Sequence, residues 1–192
     1  MIPLAGEVLA QLIAWLPPND DPDRPRLQLA TVDDSGRPDL RTLLLSAWNE
    51  EGFVVHTDAG SRKAAQLVAH PAVALAVVWP GFTRQLVVRG HAEAADAEAV
   101  RSAFERRSPY LKQLAWQNTA DLARQPREER VRRWLAFQVE QDPATLAPSP
   151  TWVGFRIRPD RVTFWESDPD GPSHRVEYAA TGNGWAVTHL PG

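Results

Sequence analysis

Four groups of side chains in this chain have types and spacings that suit a flat, anionic ligand. Ser61-Arg62-Lys63 follows a predicted strand and opens a predicted helix. Free backbone N–H groups and the dipole at a helix start favour an anion, and two adjacent cations add to that. A phosphate is the obvious ligand; the plainer reading is an N-cap Ser with two solvated bases. Arg41 stands inside the otherwise apolar run Leu40 to Leu45. A guanidinium there needs a partner, because burying it unpaired is costly. An internal carboxylate meets that need, and so does a bound phosphate held by the planar donor fork. Arg84-Gln85 opens a long predicted strand. The Gln amide offers a donor and an acceptor to the edge of a flavin or a base, or simply sits exposed on an edge. Finally, Phe164-Trp165 precedes an irregular loop, Glu166 to His174, and then Arg175. An aromatic wall followed by a base suits a flat ligand with a charged end, and Trp165 suits an ordinary core as well.

Other chemistries find less support. The five His are dispersed without metal spacing, and only His56 and His174 fall near these groups. No paired-carboxylate or Ser-His-Asp pattern stands out. The chain has no Cys, which excludes disulfides, thiolate-bound zinc, iron–sulfur clusters and thiol nucleophiles. Lys plus Arg number 21 against 24 Asp plus Glu, a net charge of −3, so no global field favours nucleic acid. No apolar run approaches the ~20 residues of a membrane span, and no signal peptide is evident. At 192 residues a single domain over 1–192 is expected, cytoplasmic, with a core large enough to need no metal or disulfide.

The elements that must position these residues follow from hydrophobic period. Ala5 to Leu16 reads as an amphipathic helix stopped by Pro17-Pro18, and a polar loop runs to Pro25. Strands are expected over Leu27–Val32, Leu40–Trp48 and Phe53–Thr57, separated by turns at 33–38 and 49–52. The Leu43-Leu44-Leu45 run implies burial on both faces of its strand. A helix from Ser61 to Ala69 follows, then strands Ala72–Trp79 and Arg84–Ala94 and a helix from Asp96 to Arg107. Residues 108–126 are ambiguous. A charged helix over Arg127–Gln141 carries Val131, Trp134, Leu135 and Phe137 on its apolar side. Strands Trp152–Arg158, Arg161–Glu166, Arg175–Ala179 and Trp185–His189 close the chain. About eight strands and four helices, mostly joined by short turns, predict a mainly β protein: an antiparallel barrel or sandwich with peripheral helices. Residues 1–25 form an N-terminal helix and loop, and 150–192 supply terminal strands.

Taken in order, the segments become more specific than any one of them. They are Leu29-Ala30-Thr31-Val32-Asp33 with Gly36-Arg37-Pro38, Arg41-Thr42-Leu43-Leu44-Leu45, Gly52-Phe53 through Thr57, and Ser61-Arg62-Lys63. Next come His70-Pro71, Trp79-Pro80, Arg84-Gln85, Arg89-Gly90, Phe104 and Arg107. Trp152-Val153-Gly154-Phe155-Arg156, Pro159, Arg161, Phe164-Trp165 and Arg175 complete the series. This series resembles the pyridoxamine 5′-phosphate oxidase family of flavin enzymes. The resemblance implies an FMN-binding split β-barrel, a homodimer with FMN at its interface. It implies that Arg41, Arg62 and Lys63 hold the FMN phosphate, with Ser61, Thr57 and His56 nearby. Thr42, Leu43, Leu44 and Ser46 would run beside the cofactor, and Gln85 would bond its ring. Trp165 and Arg175 would come from the partner subunit, and residues 150–192 would complete the site. No metal is implied.

The family oxidises pyridoxamine or pyridoxine phosphate to pyridoxal phosphate, and here the substrate half departs from its pattern. Ser46 stands where the family has a Lys, Gly171 and Ser173 stand where it has an Arg-x-His pair, and Ala103 stands where it has a Tyr. Arg107 remains of the substrate-phosphate clamp. Trp116-Gln117-Asn118 matches the family's Gln-Ser pair only with a shift, and His174 and Lys112 are candidate replacement cations. The expectation is an FMN-dependent oxidoreductase with a diverged site for a small, phosphorylated substrate. Two alternatives stand beside it: the same flavin acting on another small aromatic or amine, and a non-catalytic binder of FMN, pyridoxal phosphate, haem or a deazaflavin.

Overall fold

The structure is a computed structural model that describes residues 2–192. Helix α1 (Gly6–Trp15) turns Val8, Leu12 and Trp15 inward. It covers one end of the sheet, where the Trp15 ring meets Trp79 at 5.3 Å and Phe164 at 5.1 Å, both edge-on. The loop after it is pinned by Asn19, which exchanges hydrogen bonds with the Trp48 backbone.

Strands β1 (Arg26–Val32), β2 (Pro38–Leu44), β3 (Ala47–Asn49), β4 (Gly52–Asp58), β5 (Ala72–Val78), β6 (Arg84–Ala94), β7 (Trp152–Glu166), β8 (His174–Thr181) and β9 (Gly184–Leu190) form one sheet. Its order is β2-β1-β5-β6-β7-β4-β3, with β8 and β9 continuing beside β7, and the pairings are antiparallel. The sheet curls into a half-barrel around a core that includes Leu27, Leu29, Phe53, Val55, Leu86, Val88 and Ile157.

Three expectations change here. The strand expected over Leu40–Trp48 breaks at Leu45-Ser46, because the chain changes partner. The Leu45 N–H donates to Pro25 and the Ser46 N–H to Val54, so β2 follows β1 whereas β3 follows β4. Nor is the leucine run buried throughout: β2 lies at the sheet edge, Leu43 and Leu44 are half-buried, and Leu45, just past the end of β2, is 2% exposed. The two strands expected over 152–166 are one. Pro159 is accommodated by a bulge at Arg89/Gly90, and a Cβ at Gly90 would lie 2.0 Å from the Arg158 carbonyl oxygen.

Helix α2 (Arg62–Ala69) follows β4, and α3 (Ala97–Glu105), α4 (Pro109–Gln117), α5 (Ala120–Ala123) and α6 (Arg127–Glu140) lie between β6 and β7. Two helices resolve the ambiguous 108–126 stretch. Ser108 caps α4 ahead of Pro109, and Thr119 caps α5. On α6 the apolar side is not buried as patterned: Val131 is 41% and Leu135 55% exposed. Amides dock it instead, with Gln113 Nε2 donating to the Trp134 carbonyl at 2.8 Å and Gln138 Nε2 to Gln113 Oε1 at 2.9 Å.

Candidate functional site

A cleft of about 720 Å3 opens between β2, the end of β4, the start of α2, helices α4 and α5 and the start of β7. Arg41, Thr42, Leu43, Leu44, His56, Thr57, Ser61, Arg62, Lys63 and Arg107 all line it. Residues scattered over 67 positions of sequence thus share one wall.

At one end is a cation cluster. Ser61 caps α2, its hydroxyl accepting from the Ala64 N–H. Its Oγ also lies 3.2 Å from Thr57 Oγ1, to which Lys63 Nζ donates at 3.1 Å. Lys63 makes no ion pair among the described residues. Burial first, and then the neighbouring Arg41 charge, pushes its pKa down. An anion placed here would meet an ammonium, two hydroxyls and a helix start.

Arg41 resolves to the first of its two possible partners. Its Nη2 lies 2.7 Å from Asp39 Oδ2, within a set of further bonds to Leu29 O (3.1 Å), Thr31 Oγ1 (2.5 Å) and Gln66 Oε1 (2.9 Å). Arg62 Nε lies 3.1 Å from the same Asp39 oxygen. Partial burial works against the charge on Asp39, yet the Gln66 hydrogen bond and the two guanidinium groups hold its carboxyl below the ordinary range. Sequence reasoning passed over Asp39. The available signal was its spacing, since residues i and i+2 of a strand share a face.

At the other end the Arg107 guanidinium lies over the Trp152 ring, 4.2 Å from its centroid, and burial lowers its pKa to about 10. The His56 ring stacks on Trp152 at 5.0 Å and 4°. His56 is buried and neither ring nitrogen has a partner. Burial, followed by the Arg107 and Arg106 charges, pushes its pKa down to about 4, so it is a neutral imidazole at pH 7. Trp152 is therefore a second site residue to which sequence reasoning gave no role. It pairs across with Asp58, two residues beyond His56.

Five expected site residues are not in this cleft. Gln85, Trp165 and Arg175 form a cross-strand row on β6, β7 and β8, with Arg84, Glu166 and His174 as the next row. Phe82 packs on Trp165 at 4.6 Å, and Arg84 pairs with Glu166 at 2.6 Å. Gln85 therefore groups with the two residues expected from a partner subunit and not with Arg41. His174 lies beside His189, ring centres 5.6 Å apart. Ser46 sits at the strand crossing with its Oγ buried and unpartnered. Lys112 is no replacement cation: its Nζ is tied to the Ala144 carbonyl at 2.8 Å.

A curled antiparallel half-barrel that carries a cleft lined by Arg41, Arg62, Lys63 and Arg107 defines a class: the split barrels of pyridoxamine 5′-phosphate oxidase type. Residues 22–166 match the pyridoxamine 5′-phosphate oxidase family model, and 152–191 match the pyridoxine 5′-phosphate oxidase C-terminal dimerisation region; the chain belongs to this family. Pyridoxine/pyridoxamine 5′-phosphate oxidase of Gluconobacter oxydans is 31% identical over 99% of this chain and 96% of its own length. The enzyme of that name from Rubrobacter xylanophilus is 34% identical over 84% of this chain and 75% of its own. Two solved structures share the fold. PhzG from Burkholderia lata, in complex with tetrahydrophenazine-1-carboxylic acid, superposes with TM-score 0.76 at 22% identity, over 96% of this chain and 88% of that one. A pyridoxamine 5′-phosphate oxidase-related, FMN binding protein from Nostoc punctiforme gives 0.67 at 23% identity, over 87% of each chain.

Proposed function

We propose that this chain is an FMN-dependent oxidoreductase of the pyridoxamine 5′-phosphate oxidase type, working as a homodimer with a diverged substrate end. The observation that carries the reading is Lys63: a half-buried ammonium with no ion pair among the described residues, beside two hydroxyls at the start of α2. That donor set fits a phosphate ester. Lys63, Thr57, Ser61 and Arg62 would hold the FMN phosphate, with Arg41 fixed behind them, while Thr42 to Leu44 flank the ribityl chain and ring. The row Gln85, Trp165 and Arg175 does not line its own cleft and would close the partner's. FMN, when bound, supplies hydride acceptance from a substrate carbon. The chain's own residues bind, orient and exclude water. Arg107 receives the substrate's anionic group at a desolvated position over indole, where a charged hydrogen bond is strong.

A second reading, oxidation or reduction of another small aromatic or amine on the same flavin, is favoured by the substrate end of the cleft being lined, among the described residues, by one guanidinium, that of Arg107. Lys112 is turned away, and Ser46, Gly171 and Ser173 carry no charge. One experiment separates the possibilities: titrate the purified protein with FMN, record its visible spectrum, then assay pyridoxine phosphate oxidation in air. Flavin binding with turnover supports the first reading, and binding without turnover supports the second or a non-catalytic binder. No quenching of FMN fluorescence removes all flavin readings.

A further inference from the structure

Asp39 has no role in the proposed function, yet it holds two of its cations. We propose that Asp39 is a positioning residue that competes with the ligand phosphate for the cation cluster and so sets how strongly the site depends on that phosphate. The inference rests on the FMN reading. Asp39 Oδ2 receives three donors: Arg41 Nη2 at 2.7 Å, Arg62 Nε at 3.1 Å and Gln66 Nε2 at 3.3 Å. Its side chain does not line the cleft, so it acts through the two arginines that do.

The two arginines depend on it differently. Arg41 keeps its bonds to Leu29 O, Thr31 Oγ1 and Gln66 Oε1 whether or not the carboxylate is charged. Thr31 and Gln66 are buried and bonded to each other at 2.6 Å, so this support is stiff. Arg62 is 81% exposed, and Asp39 is its one ion-pair partner among the described residues. A dianion at Ser61 and Lys63 must therefore draw Arg62 away from Asp39, against repulsion from the carboxylate. Neutralising Asp39 frees Arg62 and relieves the repulsion, while Arg41 stays in place.

The test compares FMN with riboflavin, which shares the ring and lacks the phosphate, by fluorescence quenching on wild type and Asp39→Asn. The expected result is FMN affinity raised about three- to five-fold, the scale of one part-exposed ion pair. Riboflavin affinity stays unchanged, and the FMN constant falls more steeply with salt. Arg62→Gln should weaken FMN more in the Asp39→Asn background than alone. A merely structural Asp39 would move both ligands together. An FMN-to-riboflavin ratio that is unchanged or lower overturns the proposal. Asp39→Ser serves in place of Asp39→Asn should the latter fail to fold. If wild type binds neither flavin, the FMN reading falls by itself, and thermal shifts with inorganic phosphate then decide. A larger phosphate-induced rise in Tm for Asp39→Asn than for wild type keeps the competition, and equal shifts remove it.

Discussion

At the scale of single residues, the cleft separates a charge that makes no close ion pair among the described residues from charges that share one. Lys63 is the first, whereas Arg41 and Arg62 share Asp39. Lys63→Ala should therefore weaken FMN by roughly 1.5–3 kcal/mol, the usual loss of a charged hydrogen bond, as read by fluorescence titration. Unchanged affinity would place the phosphate elsewhere. His56 makes a different prediction, about pH. Burial and then the nearby arginines hold its folded pKa at about 4, below the ordinary 6.5, so the unfolded chain takes up the proton first. Its stabilising contribution is complete above pH ~6.5 and is lost as pH falls towards 4, by at most ~3 kcal/mol. His56→Phe, which stacks on Trp152 without titrating, should flatten the acid limb of stability measured by urea unfolding between pH 7 and 4.5. Parallel limbs would mean that His56 takes up its proton equally readily in the folded and unfolded chain.

At the scale of elements, the site depends on close approach between strands and helices. Gly154 pairs with His56 across β7 and β4, and a Cβ there would lie 2.8 Å from Val100 Cγ2 and 3.0 Å from His56 Nε2. Gly154→Ala should cost about 1–3 kcal/mol by overpacking and disturb the His56–Trp152 stack, seen as a lower urea midpoint and altered near-UV dichroism. A wild-type midpoint would mean that α3 yields freely. Element identity was largely legible in the sequence. Alternation marked β1, a turn followed by a short apolar run marked β4, Ser61 marked the start of α2, and Pro17 the end of α1. What was hidden depends on tertiary partners. Leu45-Ser46 looks like more of the same strand, and only the switch from β1 to β4 breaks it. The α6 stripe implied burial, yet that helix is held by glutamine amides. Arg41 declared its need for a partner but not which one, and Asp39, two residues away, was the missing clue.

At the scale of the whole molecule, the expected site residues fall into two groups, one inside the cleft and one outside it. Arg41, Arg62 and Lys63 line the cleft, and Gln85, Trp165 and Arg175 form a row outside it. The resemblance already set Trp165 and Arg175 apart as the partner's; that Gln85 groups with them follows from strand register, which the sequence does not display. In a two-fold pair each cleft would be completed by the other chain's row. Lys63→Ala and Trp165→Ala should each depress FMN binding alone. Mixed in equal amounts after unfolding and refolding together, they should recover about one quarter of the sites, since half the pairs are mixed and each has one undamaged site. No recovery would mean that a single chain holds the ligand alone.

Strand β7 carries Trp152 at its first position and Trp165 one residue from its last. At ~3.3 Å per residue roughly 40 Å of strand separates these indoles along one girder. A flavin is far shorter than that, so no single ligand can touch both. In the proposed dimer each girder would brace two separate chambers, and filling either one would stiffen a beam common to both.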